Sequence, residues 1–193
     1  MGRSDVKVAP KQGHRYLALS GTPGTGKTAT AACLPGRFRT IEVADLAIAW
    51  GLGRRDRGAV RVDLGALTRR WARQPPPDRT TFVVGHLAHL LPIPEVILLR
   101  CHPVELHRRL VEADRGTPSD RIQNAGSEAV DFILIEAQRL GRTVFELDTS
   151  GRTPRSVGRE IARLAPHPLP VRVGSVDWLA DPRVTDFLLR NAR

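Results

Sequence analysis

The chain has 193 residues, which is the length of one domain and enough for a hydrophobic core. Glycine, proline, histidine and glutamate interrupt the longest apolar region, 82–99, which excludes a membrane span; the polar, basic residues 1–15 are unlike a signal peptide, so we expect a cytoplasmic location and no membrane partner. The formal net charge is +10, and nearly all of the basic residues are arginines. This excess is consistent with a polyanionic partner such as RNA, or with a compositional bias that has no functional meaning.

Strand-like and helix-like segments alternate along the chain. Strands are expected at 15–20, 39–43, 80–84, 95–99 and 143–147. Helices are expected at 28–34, 45–50, 64–73, 103–113, 127–140 and 154–164, with Asp45 and Ser127 as N-caps. The alternation predicts an α/β fold, in which a five-stranded parallel sheet is flanked by helices within a single domain spanning 1–193.

The first expected strand leads into Gly-Thr-Pro-Gly-Thr-Gly-Lys-Thr at 21–28, which is a complete P-loop. Its glycines let successive backbone N–H groups turn toward phosphate oxygens, Lys27 can reach the β- and γ-phosphates, and the Thr28 hydroxyl can ligate Mg²⁺. The motif therefore predicts a P-loop NTPase. Its expected triphosphate-binding residues are Gly21, Gly24, Thr25, Gly26, Lys27 and Thr28.

Four further segments accompany the P-loop, at 84–92, 96–101, 109–110 and 145–149. With it they resemble the archaeal branch of the adenylate-kinase-like ATPases, whose eukaryotic relatives are called Fap7 or the coilin-interacting nuclear ATPase. The resemblance covers 16–164. It implies adenylate kinase activity with broad nucleotide tolerance, ATPase activity with ATP and Mg²⁺, and a role in small-ribosomal-subunit maturation. The implied partners are AMP or another nucleoside monophosphate (NMP), a platform ribosomal protein and the pre-rRNA (16S), and we expect a monomer.

The resemblance also assigns segments. Residues 41–63 match the NMP-binding segment, in which Asp45 belongs to the recurring signature and Asp63 opens the following helix. Residues 114–124 match the short lid, with Arg115 on the ATP side. Residues 166–193 form a C-terminal extension, for which docking on the core, covering the sheet edge and binding a partner all remain open.

Other single residues take roles by the same resemblance. Ala29 extends the triphosphate loop, and Arg152 flanks the adenine. Arg100 ends the strand that feeds the lid. Arg100, Arg109 and Arg115 are expected to clamp phosphates, or else to pair with helix carboxylates at the surface.

Two positions depart from the family pattern. Gln123 stands where the lid pattern has an acid, and Val84 stands where relatives carry an acidic residue two places before His86. Without that carboxylate the order of the metal's water ligands is in question, and Asp45, Asp63 or Asp148 could substitute. His86 is expected to orient a water molecule. The alternative is a structural histidine whose hydrogen bonds are satisfied within the loop at the end of the strand.

Three hypotheses follow from these residues. An NMP kinase needs the 41–63 segment, and a ribosome-assembly ATPase fits the charge and the family. A nucleotide-gated binding factor with little turnover is kept open by Val84. The arginines at 54–57 and 69–73 are consistent with solvated faces or with phosphate contacts.

Overall fold

A parallel sheet forms the centre of the computed structural model, which describes residues 14–56 and 59–191. The strands are β1 Tyr16–Ser20, β2 Arg39–Glu42, β3 Gly53–Asp56, β4 Ala59–Val62, β5 Thr81–Val84, β6 Glu95–Arg100 and β7 Thr143–Asp148. Five of them form the parallel sheet, in the order β2-β5-β1-β6-β7. These five strands were predicted to within one residue, which confirms the α/β fold.

Helices cover both faces of the sheet. They are α1 Lys27–Ala31, α2 Val43–Ala49, α3 Leu64–Trp71, α4 Pro103–Glu112, α5 Pro118–Ala129, α6 Phe132–Arg139, α7 Pro154–Leu164 and α8 Pro182–Asn191. The helices α2, α3 and α6 pack on one face around Ala18 and Val83, and α1 and α7 pack on the other around Leu17 and Phe82. Because both faces are buried, the strands read as continuous apolar runs rather than as alternating patterns.

Residues 41–63 contain a hairpin that was not predicted. Strands β3 and β4 pair antiparallel, with Gly53 opposite Val62 and Asp56 opposite Ala59. Short strands rich in arginine and glycine give a weak sequence signal, which is why the pattern was missed. The predicted arginine cluster includes Arg57, which lies outside the described residues.

Two predicted helix starts are wrong. Helix α2 begins at Val43 after Glu42, so Asp45 lies in its first turn and is not the N-cap. The helix expected at 127–140 is two helices, α5 and α6, separated at Asp131, whose φ is +57°. Ser127 lies inside α5, whose true cap is Thr117 in a reciprocal capping box with Asp120.

The C-terminal extension covers both the sheet edge and the helical cluster. Arg172 exchanges backbone hydrogen bonds of 2.9 Å with the β7 residues Val144 and Glu146, so it continues the sheet beyond β7. Further on, Trp178 is buried and Phe187 packs against the cluster between α4 and α5. Docking is therefore confirmed, although the neighbouring Leu179 and Leu189 are exposed.

Every helix within 14–56 and 59–191 is too short or too polar to cross a lipid bilayer.

Candidate functional site

The segments that follow the parallel strands converge at one edge of the sheet, as the carboxyl ends of parallel strands must. Strand β1 leads into the P-loop, β5 into His86 and β7 into Thr149. The Thr149 hydroxyl joins two of these segments, because it lies 3.1 Å from the Thr25 carbonyl oxygen and 2.8 Å from that of Arg100. The P-loop therefore lies at the edge where open α/β sheets bind ligands.

Two glycines fix the path of the P-loop. Gly21 has φ +145°, and a Cβ added there would lie 2.5 Å from the Leu99 carbonyl oxygen. Gly24 has φ +99°, and its Cβ would approach side-chain atoms of Leu106 and Leu110 to 3.1 Å. Only glycine combines these backbone angles with such close approach. The loop is consequently seated against β6 and α4 in the wide turn that a phosphate cradle requires.

The buried loop threonines hold the P-loop in shape. The Thr25 hydroxyl donates to the Thr22 carbonyl at 2.9 Å, so it serves the loop and not a ligand. The Thr22 hydroxyl donates to the Glu128 carboxylate at 2.6 Å, which anchors the loop to α5. Sequence analysis did not identify Glu128. The sequence feature that could have identified it is its spacing, because an acid three residues after the buried Ala125 lies on the same face of the helix.

Lys27 lies within the loop and is bound to it. Its ammonium group donates to the carbonyl oxygens of Gly21 at 2.7 Å and Thr22 at 2.9 Å. Burial lowers the pKa of Lys27 to about 8, and the nearby carboxylates of Glu128 and Glu42 oppose that shift. The lysine is thus a partly desolvated cation whose charge an incoming phosphate would stabilise.

Glu42 is a carboxylate at the loop that sequence analysis missed. It ends β2, and its carboxylate lies close enough to the Thr28 side chain and the Lys27 ammonium for both to stabilise its charge. Burial raises the pKa of Glu42, and these two interactions partly offset the rise. The register of the parallel strands could have identified Glu42, because β2 pairs it with Val84, the position where an acid was expected. Thr28 itself is exposed, as is Ala29.

The acids considered as substitutes for Val84 lie in three different settings. Val84 is fully buried at the end of β5. Asp63 opens α3 as predicted, accepting a backbone N–H at 2.9 Å, and Asp148 accepts the backbone N–H two residues later at 2.9 Å. Asp45 is exposed on α2, where its charge reaches Glu42. Two of the three carboxylates therefore have local backbone partners.

His86 lies at the mouth of the site and a second histidine lies behind it. The His86 ring is exposed, yet crowding by neighbouring atoms, the Lys27 charge and His89 together lower the pKa of His86. His89 is buried, with Nδ1 3.0 Å from the Ser20 hydroxyl and Nε2 3.1 Å from Glu136. His89 therefore links the end of β1 to α6.

Arg100 lies in a buried ion network and does not face the P-loop phosphate cradle. Its guanidinium contacts Glu128, Glu146 and Asp131, with the Arg100 Nε to Glu128 distance at 2.7 Å. Although burial opposes the charge, the carboxylates of Glu128 and Asp131 raise the pKa of Arg100. The side chain is 2% exposed, so its donors are committed to protein carboxylates. This placement suits a positioning residue that holds Glu128, and through it the loop.

Arg115 follows α4 and lies within electrostatic range of the P-loop. It is exposed, and its charge acts on both Lys27 and Glu42. Arg121 holds the 114–124 segment from within, donating to the Arg115 carbonyl at 2.9 Å and pairing with Asp114 at 2.9 Å. The Arg115 charge is therefore available near Lys27.

Arg109 and Arg152 lie near the loop with partners of their own. Arg109 bonds the Glu105 carboxylate at 2.7 Å and the Thr149 carbonyl at 2.8 Å, which brings it close to the P-loop backbone. Arg152 bonds the Asp148 carbonyl at 3.1 Å and the Glu160 carboxylate at 2.7 Å. Both guanidinium groups are held beside the segment that follows β7.

The sequence is similar to several archaeal proteins named "Putative adenylate kinase". It is 38% identical to the one from Pyrococcus abyssi over 84% of this chain and 90% of that protein, and 35% identical to the one from Thermococcus onnurineus over 90% and 97%. The relative from Natronomonas pharaonis is 34% identical over 84% of this chain and 96% of its own. No protein-family model matches the sequence.

Proposed function

The chain belongs to the family of these archaeal adenylate kinases, and on that premise we propose that it transfers the γ-phosphoryl group of ATP to AMP or another NMP, and to water when no acceptor is bound. The observation that carries the proposal is a complete P-loop, with Lys27 and Thr28, at the carboxyl edge of a β2-β5-β1-β6-β7 sheet. Phosphoryl transfer requires mainly positioning and charge stabilisation, and this edge offers both.

The roles of the residues follow from where they lie. The loop backbone from Gly21 to Thr28 cradles the β- and γ-phosphates, and Lys27 exchanges its bonds to loop carbonyls for phosphate oxygens. Arg115 approaches from the lid and stabilises the charge that spreads over the transferring group. Residues 41–63 receive the acceptor. His86 orients a water molecule at the exposed mouth, and Arg152 flanks the adenine.

The donor set at the loop suits Mg²⁺. Within the described ranges no group of three or more His, Cys, Asp or Glu side chains could hold a metal by itself. The Thr28 hydroxyl and the Glu42 carboxylate are hard oxygen donors beside the phosphate cradle, the kind that Mg²⁺ uses together with substrate phosphates. When bound, Mg²⁺ supplies charge neutralisation between the β- and γ-phosphates.

The test is the fate of the γ-phosphate. Purified protein is incubated with γ-labelled ATP and Mg²⁺, with and without AMP, and label in ADP is separated from label in free phosphate. The proposal expects AMP to direct label into ADP and to lower the fraction released as phosphate. Label released only as phosphate at every AMP concentration would refute the kinase and leave an ATPase.

A second function has an observation in its favour. Arg69 and Arg70 of α3 and Arg73, which follows the helix, line an open surface cavity, and the formal net charge of the chain is +10. These cations support the role implied by the coilin-interacting nuclear ATPases: nucleotide-gated binding to a small-subunit platform protein and pre-rRNA, with weak NMP kinase turnover. Binding to an rRNA fragment would then weaken steeply with salt, because arginines displace condensed counterions. An affinity independent of salt would refute it.

A further inference from the structure

Glu42 lies in a row of residues that crosses the sheet to the strand that carries the P-loop. Strand β5 lies between β1 and β2, and its register places Leu19 beside Val84 and Val84 beside Glu42. Adjacent strands are about 4.8 Å apart, so Glu42 is two strand spacings from β1. Glu42 is the last residue of β2 at this edge, and it is the same edge at which the P-loop leads from β1 to Thr28 in the first turn of α1.

The position between Glu42 and the P-loop strand offers no metal ligand. Val84 is 0% exposed and belongs to the apolar core on the α1 and α7 face. An aliphatic side chain cannot order water molecules around a cation. Oxygen donors near the Thr28 hydroxyl must therefore come from elsewhere on the sheet edge.

The alternative roles for the Glu42 carboxylate are weak. Glu42 is the N-cap residue of α2, yet its side chain makes no capping hydrogen bond. The side-chain ion pairs of the described residues, such as Arg61 with Asp56 and Arg39 with Asp78, do not include it. Its carboxylate instead lies within electrostatic range of Thr28 and Lys27, the two loop side chains assigned above to the metal and the phosphates.

We propose that Glu42 is the carboxylate of the magnesium site, holding the cation from β2 opposite Thr28 and compensating for Val84 on the neighbouring strand. This inference deepens the proposed function and rests on nucleotide binding at the P-loop. A carboxylate from this distance holds Mg²⁺ together with the Thr28 hydroxyl, phosphate oxygens and waters, which is the usual composition of its shell in such sites. Valine at position 84 of β5 therefore does not remove the carboxylate from the magnesium site, because the neighbouring strand β2 supplies one in Glu42.

The test measures metal binding without turnover. Mn²⁺ is titrated into the full-length protein with a non-hydrolysable ATP analogue, and free Mn²⁺ is read by electron paramagnetic resonance. Glu42→Gln keeps the shape of the side chain and removes its charge. We expect the Mn²⁺ dissociation constant to rise about 10- to 100-fold, the usual cost of losing a group that orients a metal shell. Binding of the analogue without metal should be unchanged or tighter.

Two variants serve as controls. Glu112→Gln removes an equal charge from the exposed surface of α4, and it should change the Mn²⁺ dissociation constant less than twofold. Glu42→Asp keeps a carboxylate on a shorter stem and should fall between wild type and Glu42→Gln. Equal effects of Glu112→Gln and Glu42→Gln would show that only the net charge of the protein matters and would overturn the assignment.

The outcomes separate this inference from the kinase proposal. An active kinase in which Glu42→Gln binds Mn²⁺ as wild type does would overturn the assignment of Glu42 alone. A protein that transfers no phosphate to AMP, but whose Mn²⁺ binding depends on Glu42, would refute the kinase alone. A wild-type complex that holds Mn²⁺ no more tightly than the free analogue does would overturn the inference directly.

Discussion

At the residue scale, the state of Lys27 determines how the loop meets a phosphate. Its ammonium is desolvated and bonded to two loop carbonyls, and burial lowers the pKa of Lys27 to about 8. A bound triphosphate favours the charged form and raises this pKa. The free protein therefore loses the Lys27 proton at a lower pH than the nucleotide complex does.

This difference predicts a pH-dependent affinity. Below pH 8 Lys27 is charged in both states, so the ATP dissociation constant should be flat between pH 7 and 7.5. Above pH 8 a proton must be taken up on binding, and the dissociation constant should rise toward about tenfold per pH unit. Calorimetric titrations at saturating Mg²⁺ from pH 7 to 9.5 would measure it. Lys27→Arg stays charged and should show no rise; a rise of the same size in that variant would place the titration elsewhere.

The residue scale is also where sequence reasoning succeeded and failed most clearly. The P-loop residues were found because their spacing is dictated by a phosphate. Arg100 was expected to bind phosphates, but its guanidinium binds the carboxylates of Glu128, Glu146 and Asp131. These partners lie 28 to 46 residues away in sequence, so no local pattern predicts the contacts. Glu42 was missed for the same reason, since its importance arises from strand register.

At the element scale, a capping box fixes the start of helix α5. Thr117 accepts from the Asp120 backbone N–H at 3.1 Å, and Asp120 accepts from the Thr117 N–H at 2.8 Å. The side-chain and backbone bonds from Thr117 lower the pKa of Asp120. This capping box fixes the start of the helix at Pro118, three residues after Arg115.

Loss of the cap should loosen this element. Thr117→Ala removes the hydroxyl that satisfies a free N–H of the first turn, and we expect the Tm to fall by about 2–4 °C. Ser119→Ala, at the second position of the same helix, should change the Tm by less than about 1 °C. Both values come from thermal unfolding followed by circular dichroism. Equal Tm values for Thr117→Ala and wild type would show that the cap does not stabilise α5.

At this scale, sequence patterns predicted the strands correctly but not the helix boundaries within 118–139. Strand positions were predicted because fully buried β-branched and leucine runs have few alternatives. The division of 118–139 into two helices was missed because Asp131 adopts a left-handed conformation that its sequence context does not require. The capping signal at Thr117 was present in the sequence and was overlooked in favour of Ser127.

At the scale of the whole molecule, one ion network joins the P-loop, the sheet, α5 and the C-terminal extension. Glu128 accepts from Thr22 of the loop, Arg100 of β6 and Trp178 Nε1 of the extension, the last at 3.3 Å. Glu146 accepts from Arg100 and from the Ser175 backbone at 3.0 Å. The extension is therefore structurally continuous with the nucleotide site.

Removing the central cation should destabilise the whole fold. Arg100→Met leaves two buried carboxylates and Asp131 without their cation, and we expect the free energy of unfolding to fall by about 3–5 kcal/mol. The loss should be smaller at pH 5 than at pH 8, because uncompensated carboxylates take up protons as the pH falls. Urea unfolding at both pH values measures it.

The matched control is an exposed arginine. Arg108 pairs with Glu112 on the surface of α4, where both side chains are more than half exposed, so Arg108→Met should cost less than about 1 kcal/mol. The structural role would be contradicted if Arg100→Met lowered the free energy of unfolding no more than the control does and also weakened ATP binding. Arg100 would then bind phosphate, as the sequence suggested.

The central claim is that the P-loop of this chain transfers phosphate to AMP, and the most direct measurement is AMP-dependent ADP formation by wild type and Lys27→Ala side by side at saturating ATP and Mg²⁺. The account predicts ADP formation that rises with AMP in the wild type and is abolished in Lys27→Ala, while the circular dichroism spectra of the two proteins coincide. ADP formation that persists in Lys27→Ala at the wild-type rate, or is independent of AMP in both proteins, would contradict it.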